Sequence, residues 1–503
     1  MSPFLHLPAE IIHHVLSFLP PISLGAIAQT CRLLHDHAYD DKLWQAVVQE
    51  YLPATTLKTA APSPSFRELY LSHVPHWFLP KHKIWFSDSQ ATGKLLIARY
   101  SPSRQTIEAY TVVARRGSST FKFWKWNPEV IIHTFEPTVG LDLNQPLLRL
   151  RPRDTKCTAR ALASEIHMQS ETPMQTSNIH LNGHAAGVSS AFMLAKSLAP
   201  EAIFQTTSVW PPLTLPAIVR SRNISRDSFS SSGHRPTKLT EVSEHTFRIR
   251  RWFNTNHRLV DVNMPFGEDV ATYATLPPEA YTPTKLKPWK GIWCGDYSGH
   301  GCEFLAILQP DQDIELPEGA REAMQIRRDR SRSAESWESW MTAATTLDQE
   351  GVTEVEENPA AESQLPGQIN VWPDSETTVA PVTTQEDVEM LEADELDEDE
   401  IYRGQILAVK LTGDPNIPRG EYTFIAPDIG RDGTVRIADE EMFKGARIVK
   451  SAGHIAARGY REDQYIPSQL ILISHDTIAQ YWETFGHISF YKRVDIDSLI
   501  SAD

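Results

Sequence analysis

Leu7-Pro8-Ala9-Glu10-Ile11-Ile12 and Asp41-Lys42-Leu43-Trp44 decide the N-terminal fold, because each of these stretches opens an apolar helix. The apolar residues of the first helix lie on an arc of about 160° at ~100° per residue. They are Ile11, Ile12, Val15, Leu16, Phe18 and Leu19. Pro20-Pro21 then ends this helix, since proline lacks the N–H that a helix interior requires.

Two further helices are predicted before residue 52. Ser23 is suited to cap the second helix, which carries Leu24, Ile27, Ala28 and Cys31 on one side, with Leu33 and Leu34 following. The third begins after Asp40 or Asp41, and its apolar residues span an arc of about 140°. These residues are Leu43, Trp44, Val47, Val48 and Tyr51.

The apolar faces are wider than the ~100° stripe with which a surface helix packs on one core. A unit of about 45 residues also buries too little surface to be stable by itself. The surplus apolar face must therefore be covered, either by the downstream part of the same chain or by another protein.

The order of these residues resembles the F-box. It runs Leu7-Pro8-x-Glu10-Ile11, Val15-Leu16-Ser17-Phe18-Leu19-Pro20, Leu24, Cys31-Arg32 and Leu43-Trp44. In that family three helices bind the Skp1 adaptor, and through it the cullin, of a ubiquitin ligase. The resemblance implies that the adaptor-facing surface is formed or supported by Leu7, Pro8, Ile11, Val15, Leu24, Cys31, Leu43 and Trp44.

The charge of the chain is concentrated in one segment. The net charge is −16 over 503 residues, yet residues 341–400 contain 18 Asp and Glu and no Lys or Arg, so the remainder carries +2. Such a remainder lacks the broad basic field of proteins that bind nucleic acid. The acidic segment itself has the composition of a disordered insertion.

The spacing of the cysteines and the composition of the N-terminal segment indicate the cellular compartment of the protein. Cys31, Cys157, Cys294 and Cys302 include no C-x-x-C pair, so we expect reduced thiols and no metal site. Glu10 and Pro20-Pro21 interrupt any signal peptide or membrane span. These features predict a cytoplasmic or nuclear protein without membrane contact.

Downstream of residue 76 the sequence consists mostly of short β-branched and aromatic runs separated by Gly, Pro and Ser. We predict an α+β protein, in which the three-helix N-terminal unit precedes an antiparallel β-barrel or sandwich with long disordered insertions. The F-box is predicted at 1–52, followed by a linker and short helix at 53–75. The β-domain has three parts, at 76–163, 241–311 and 401–503. Two insertions separate these parts, namely a partly disordered loop at 164–240 and the acidic disordered insertion at 312–400.

Two segments of the β-domain resemble the F-box only protein 31 family and its fungal relatives. One is Gly291-Ile292-Trp293-Cys294-Gly295-Asp296-Tyr297-Ser298-Gly299-His300-Gly301-Cys302-Glu303-Phe304, and the other is Leu411-Thr412-Gly413-Asp414-Pro415-Asn416-Ile417-Pro418-Arg419-Gly420. In that family a β-barrel holds the target, and some members read the C-terminal end of their targets. The substrate-domain motif residues are Tyr297, His300, Glu303, Asp414 and Asn416.

The same residues also have a purely structural interpretation. Gly413-Asp414-Pro415-Asn416 has the chemistry of a turn between two strands. His300, flanked by Gly299 and Gly301, is typical of a histidine that hydrogen-bonds a strand end. Zinc at Cys294, Cys302 and His300 is disfavoured, because the spacing is unusual and a fourth ligand is lacking.

The motifs of common enzymes are missing. The sequence contains no G-x-S-x-G elbow, H-E-x-x-H, phosphate-binding loop or Rossmann glycine run. We therefore predict a non-catalytic substrate receptor of a Skp1–cullin–F-box ubiquitin ligase, which needs no cofactor and brings its target close to the transferred ubiquitin. The alternative is a β-barrel that binds a small ligand or acts as an enzyme, with the F-box in a non-ligase role.

Overall fold

The computed structural model describes residues 3–89, 92–117, 120–153, 172–173, 177–181, 184–197, 235–254, 269–296, 301–325, 398–414 and 416–501. It has an N-terminal group of helices followed by a mainly antiparallel β-domain, as predicted. The helices are α1 (Ala9–Ser17), α2 (Pro21–Ile27), α3 (Arg32–Ala38), α4 (Asp41–Glu50), α5 (Phe66–His73), α6 (Phe78–His82), α7 (Pro278–Tyr281), α8 (Glu318–Gln325), α9 (Glu398–Ile401) and α10 (Ile496–Ser501).

The N-terminal helices begin and end where the local chemistry requires. Proline stands directly before α1 and at the first position of α2, where the missing N–H costs nothing. The Asp40 carboxylate caps α4 by accepting a hydrogen bond from the backbone N–H of Lys42 at 2.9 Å. The segment predicted as one second helix forms two, α2 and α3, because Cys31 is fully extended between them (φ −159°, ψ 163°).

The first sheet has ten strands in the order β6-β3-β2-β1-β12-β11-β10-β8, with β7 beside β3 and β9 beside β10. Its strands are β1 (Ile84–Ser89), β2 (Thr92–Ser101), β3 (Thr106–Arg115), β6 (Thr138–Leu141), β7 (Leu148–Leu150), β8 (Thr172–Pro173), β9 (Ser177–Leu181), β10 (His184–Lys196), β11 (Val242–Asn254) and β12 (Asp269–Ala274). Among the described strands the sheet does not close on itself, and all of its pairings are antiparallel.

The second sheet closes into an eight-stranded barrel, because its first strand, β13, also pairs with β21. The barrel strands are β13 (Gly291–Asp296), β14 (Cys302–Leu308), β15 (Ile406–Lys410), β16 (Tyr422–Ala426), β18 (Arg447–Ala457), β19 (Arg461–Leu472), β20 (Thr477–Trp482) and β21 (His487–Arg493). β17 (Thr434–Ile437) lies beside β18, and the hairpin of β4 (Phe121–Trp124) and β5 (Asn127–His133) is attached to β21 through β5. Of the two predicted architectures, barrel and sandwich, this sheet therefore forms the barrel.

The central strands β1 and β2 of the first sheet are buried on both faces. Alternate residues of a strand point to opposite sides, so Trp85 packs with the N-terminal helices while Ile84 and Phe86 pack with the barrel. The same alternation on β2 places Leu96 on the helix side and Leu95 on the barrel side. The molecule is therefore layered, with helices, an open sheet and a barrel in succession.

Two predicted insertions differ in part from the structure. β8, β9 and β10 lie within 164–240, and β10 pairs with β11 over most of its length, so this part is sheet rather than loop. Residues 312–325 and 398–400 belong to the predicted acidic insertion, but they include α8 and most of α9, because the small Ala320 and Ala323 let α8 pack on the barrel. Residues 326–397 lie outside the described part of the chain.

No helix in the described residues is long and apolar enough to cross a membrane.

Buried histidines lie between the helices and the first sheet, and they make stability depend on pH. Burial lowers the pKa of His73 and of His82 to about 4 and lowers that of His76 well below its usual value, while the nearby Arg153 adds repulsion at His73 and His76. The neutral rings are favoured in the folded protein. The unfolded chain takes up protons first as the pH falls below about 6.5, so the folded state becomes less stable relative to the unfolded chain.

We therefore expect the free energy of unfolding contributed by these histidines to be fully present above about pH 6.5 and to decrease towards pH 4, by about 1.4 kcal/mol per pKa unit at each site. Chemical denaturation at several pH values tests this. His73→Phe should flatten the dependence, because the ring packs against Trp77 and Tyr100 and phenylalanine keeps that contact. The exposed His6→Phe is the control, and an equal slope in both variants would contradict the assignment.

Candidate functional site

The N-terminal helices expose a row of large apolar side chains that no described part of the chain covers. Phe18 is 74% exposed and Ile22 is 59% exposed, and they lie in the region that joins α1 to α2. The other members are Leu7, Ile11, Val15 and Leu33. We call these six residues the apolar row. An apolar surface of this kind is typical of a protein–protein interface.

The predicted adaptor-binding residues divide into two groups in the structure. Leu7, Pro8, Ile11 and Val15 are exposed, whereas Leu24, Leu43 and Trp44 are buried in the core beneath them, and Cys31 is intermediate. The Trp44 indole also donates a hydrogen bond to the Ala38 carbonyl at 2.8 Å, which fixes α4 against the end of α3. The first group is accessible from outside the chain, and the buried members of the second group lie in the core.

Phe18, Ile22 and Leu33 were not among the predicted site residues, although they are exposed beside them. Phe18 lies on the same apolar arc as Val15, so helical periodicity contained a signal for it. Ile22 and Leu33 lie on α2 and α3, whose separation at Cys31 the sequence pattern did not predict. The exposure of Ile22 and Leu33 follows from how these two helices pack on the rest of the chain.

The barrel is filled by side chains, which belong to every second position of its strands. Trp293, Leu305, Ala408, Phe424 and Tyr491 form one buried apolar cluster in the lumen. Their neighbours along the strands face outwards, towards the first sheet or towards α8. Among the described residues, the lumen therefore contains a packed apolar core.

One end of the lumen is polar. The connections 411–421, 458–460 and 483–486 all lie at this end, because each of them follows a strand that runs towards it. The Ser451 and Ser468 hydroxyls lie 2.8 Å apart, and the Gln480 amide donates to them at 2.9 and 2.6 Å, respectively. We call this end, with its loops, the polar barrel end.

A buried ionic triad closes the polar barrel end. The Lys410 ammonium is 2.7 Å from the Glu303 carboxylate and also contacts the Asp414 carboxylate. Glu303 and Lys410 lie two residues from Leu305 and Ala408, so they share the lumen face of β14 and β15. All three side chains are almost completely buried.

The triad contains two carboxylates and only one cation, and the pKa shifts reflect this. Burial raises the pKa of Glu303 to about 8, against the opposing attraction of Lys410. Burial also disfavours the Lys410 ammonium, but the two carboxylates prevail and its pKa is raised. The lysine is therefore held as a cation by its carboxylate partners, while burial opposes the charge on Glu303.

The predicted turn at 413–416 joins β15 to β16 and is held by the same aspartate. One Asp414 oxygen accepts hydrogen bonds from the backbone N–H groups of Asn416 at 2.7 Å and Ile417 at 2.6 Å. The Asn416 amide donates to the Ala456 carbonyl at 2.9 Å, which ties the turn to β18. A side chain at Gly413 would collide with the backbone of Arg419, since its Cβ would lie 2.6 Å from that nitrogen.

Glu303, Asp414 and Asn416, which are far apart in sequence, thus meet at the polar barrel end, as buried structural groups. Tyr297 and His300 lie outside the described residues. Lys410 was missed by the sequence reasoning. A lysine two residues after the buried Ala408 was the available signal, because a charged residue at a core-facing position requires partners.

A cleft of about 640 Å³ lies outside the barrel wall, between α8 and the β18–β19 hairpin. Its lining includes the carboxylates of Glu318, Glu322, Glu421 and Asp463 together with the ring of Tyr465. The cleft is acidic and is separated from the lumen by the strands.

Two family models match this chain. Residues 4–50 match the F-box-like family, and residues 273–498 match the family described as cyclin D1 binding domain. The first match covers α1 to α4 with the apolar row, and supports an F-box protein. The second begins in β12 and includes the whole barrel with its triad. No curated protein matches the chain.

Removing the triad lysine should destabilise the barrel. Lys410→Met leaves two buried carboxylates without their cation, and we expect a loss of about 3–5 kcal/mol in the free energy of unfolding. Denaturant titration followed by tryptophan fluorescence measures it. The exposed Lys450→Met serves as the matched control and should be near neutral.

The additional changes Glu303→Gln and Asp414→Asn should recover part of the loss, since no buried charge then remains. A Lys410→Met midpoint equal to that of the wild type would refute the assigned role of the triad.

Proposed function

We propose that this protein is the substrate receptor of a Skp1–cullin–F-box ubiquitin ligase. The observation that carries the proposal is the apolar row, which lies within the segment 4–50 that matches the F-box-like family. The row would bind the Skp1 adaptor, and through it the cullin, with Leu7, Pro8, Ile11 and Val15 in contact and Leu24, Cys31, Leu43 and Trp44 in support.

The β-domain would capture the target protein. The packed lumen favours capture of a protein on the outer surface or at the polar barrel end over binding of a small ligand inside. Tyr297, His300, Glu303, Asp414 and Asn416 lie in the two segments that resemble the F-box only protein 31 family. The name of the matching family, cyclin D1 binding domain, makes a D-type cyclin the first target to test.

The receptor would be non-catalytic and would act by proximity, holding its target near the ubiquitin that other subunits transfer. It would work in the cytoplasm or nucleus. The continuous apolar core from α1 to the first sheet supports this role, because it holds the apolar row in a fixed position relative to the β-domain.

Charges in the apolar row should abolish adaptor binding without unfolding the protein. Ile11→Asp with Val15→Asp places two carboxylates on side chains that are 47% and 40% exposed. We expect the affinity for Skp1 to fall by at least about a hundredfold, because the complex would bury both charges. Co-elution and calorimetry with purified Skp1 measure it.

The chain offers a closely matched control. Ile437→Asp with Val435→Asp changes the same residue types at 54% and 42% exposure on β17, and should leave Skp1 binding unchanged. A stoichiometric Skp1 complex of the Ile11→Asp, Val15→Asp variant would rule out the proposed adaptor surface.

The same variant should stabilise the cellular target. When it replaces the wild-type protein in cells, we expect the target to accumulate, since capture continues without delivery to the ligase. Quantitative proteomics against the β17 control variant would identify it, with D-type cyclins examined first. Absence of any accumulating protein that binds the β-domain would count against the receptor role.

A further inference from the structure

The edge of β4 is open and unusually apolar. Within the part of the chain that the structure describes, β4 is the last strand of the second sheet and pairs with β5 alone. Phe121 and Phe123 are 71% and 73% exposed, and Ile131, opposite Phe123, is 38% exposed. Natural sheets usually protect such an edge with charge or cover. An apolar edge is therefore suited to pairing with another strand.

The alternation of hydrogen-bonded and non-hydrogen-bonded residue pairs in the β4–β5 hairpin shows which backbone groups of β4 face outwards. The Thr134 N–H donates to the Thr120 carbonyl at 3.1 Å, and the Ile131 N–H donates to Gly486, away from β4, at 2.9 Å. Bonded and non-bonded pairs alternate in an antiparallel ladder, so the pairs Phe121–His133 and Phe123–Ile131 are non-bonded. The N–H and C=O groups of both phenylalanines consequently point to the open edge.

The charge along β4 favours an acidic occupant. Lys122 is exposed between the two phenylalanines and forms no ion pair among the residues that the structure describes. Lys125 is held only by a 3.7 Å contact with Glu441, in which both side chains are largely exposed. Carboxylates on an added strand would be attracted to these lysines, and a lysine-rich strand would be repelled.

The edge also lies close to the polar barrel end. Ile131, across the hairpin from Phe123, bonds to Gly486, which belongs to the connection 483–486 at that end of the barrel.

We propose that the open edge of β4 binds an extended, acidic segment of the target by strand addition, with apolar side chains of that segment packed on Phe121 and Phe123. The proposal rests on the receptor function and names the part of the β-domain that holds the target. Main-chain hydrogen bonds would supply affinity, and the phenylalanines and Lys122 would supply specificity.

A labelled peptide of twelve residues in which valine and glutamate alternate is the probe, and a valine–lysine peptide is its matched control. The full chain in complex with Skp1 is titrated with each peptide, and binding is followed by fluorescence anisotropy. We expect the acidic probe to bind about tenfold or more tightly than the lysine control.

Two variants separate the side chains from the backbone of β4. Phe121→Ser with Phe123→Ser removes the apolar contacts, and Phe123→Pro removes an outward N–H without breaking a β4–β5 hydrogen bond. Both should weaken probe binding about tenfold or more while leaving the thermal midpoint and Skp1 binding unchanged. Phe18→Ser, at 74% exposure, should weaken Skp1 binding and leave probe binding intact.

The outcomes distinguish this proposal from the receptor function. If the wild-type protein did not bind Skp1, the receptor function would be refuted, but the strand-addition site would not. Equal binding of the two peptides, or unchanged probe binding by both β4 variants, would overturn the strand-addition site while adaptor binding persists. A wild-type dimer in light scattering that Phe123→Pro converts to a monomer would also overturn it, since a second copy would then occupy the edge.

Discussion

The two-sided burial of the first sheet is the constraint on which the rest of the structure depends. Along β1, Trp85 packs under the N-terminal helices, while Ile84 and Phe86 pack against the barrel. A strand with both faces covered loses its apolar burial if either neighbour moves, so the helices and the barrel are tied to each other through the sheet. The apolar row and the β-domain surface are thereby held at a fixed separation, which the proposed action by proximity requires.

The barrel divides its interior between two kinds of packing. Most of the lumen is a dry cluster that includes Trp293 and Tyr491, and the polar end contains the serine–glutamine network and the triad of Lys410, Glu303 and Asp414. A buried ion pair contributes little net stability compared with apolar residues, but breaking it is costly. The triad therefore ties Asp414, in the connection between β15 and β16, to Lys410.

The surfaces proposed for binding differ in character, in accordance with their proposed partners. The apolar row is broad and has a well-packed support that includes Trp44, as expected for a stable contact with an adaptor. The β4 edge is narrow and combines main-chain groups with two exposed phenylalanines and a lysine. Strand addition of this kind accepts varied sequences, because much of its affinity comes from the backbone.

The sequence by itself determined the elements that depend on local chemistry. Pro8 and Asp40 set the starts of α1 and α4, whereas α2 begins at Pro21 and not after the predicted cap Ser23. Helical periodicity predicted the apolar arc that contains Ile11 and Val15, and the F-box resemblance implied that these two residues face a partner. The β-branched runs predicted an antiparallel β-domain. The turn at Asp414 was also predictable, since Gly, Asp, Pro and Asn each favour turn geometry. These features are encoded within a few residues of one another.

Only the tertiary structure decided what depends on partners distant in sequence. β10 was predicted as part of a loop, because its strand is stabilised by pairing with β11 about sixty residues later rather than by its own composition. Barrel closure depends on the pairing of β13 with β21, which lie almost two hundred residues apart in sequence. The role of Lys410 in the triad depends on Glu303, which lies 2.7 Å from its ammonium group and is distant in sequence. The open edge of β4 could not be predicted from the sequence either. Which backbone N–H and C=O groups of β4 face outwards depends on which strand pairs with each of its sides.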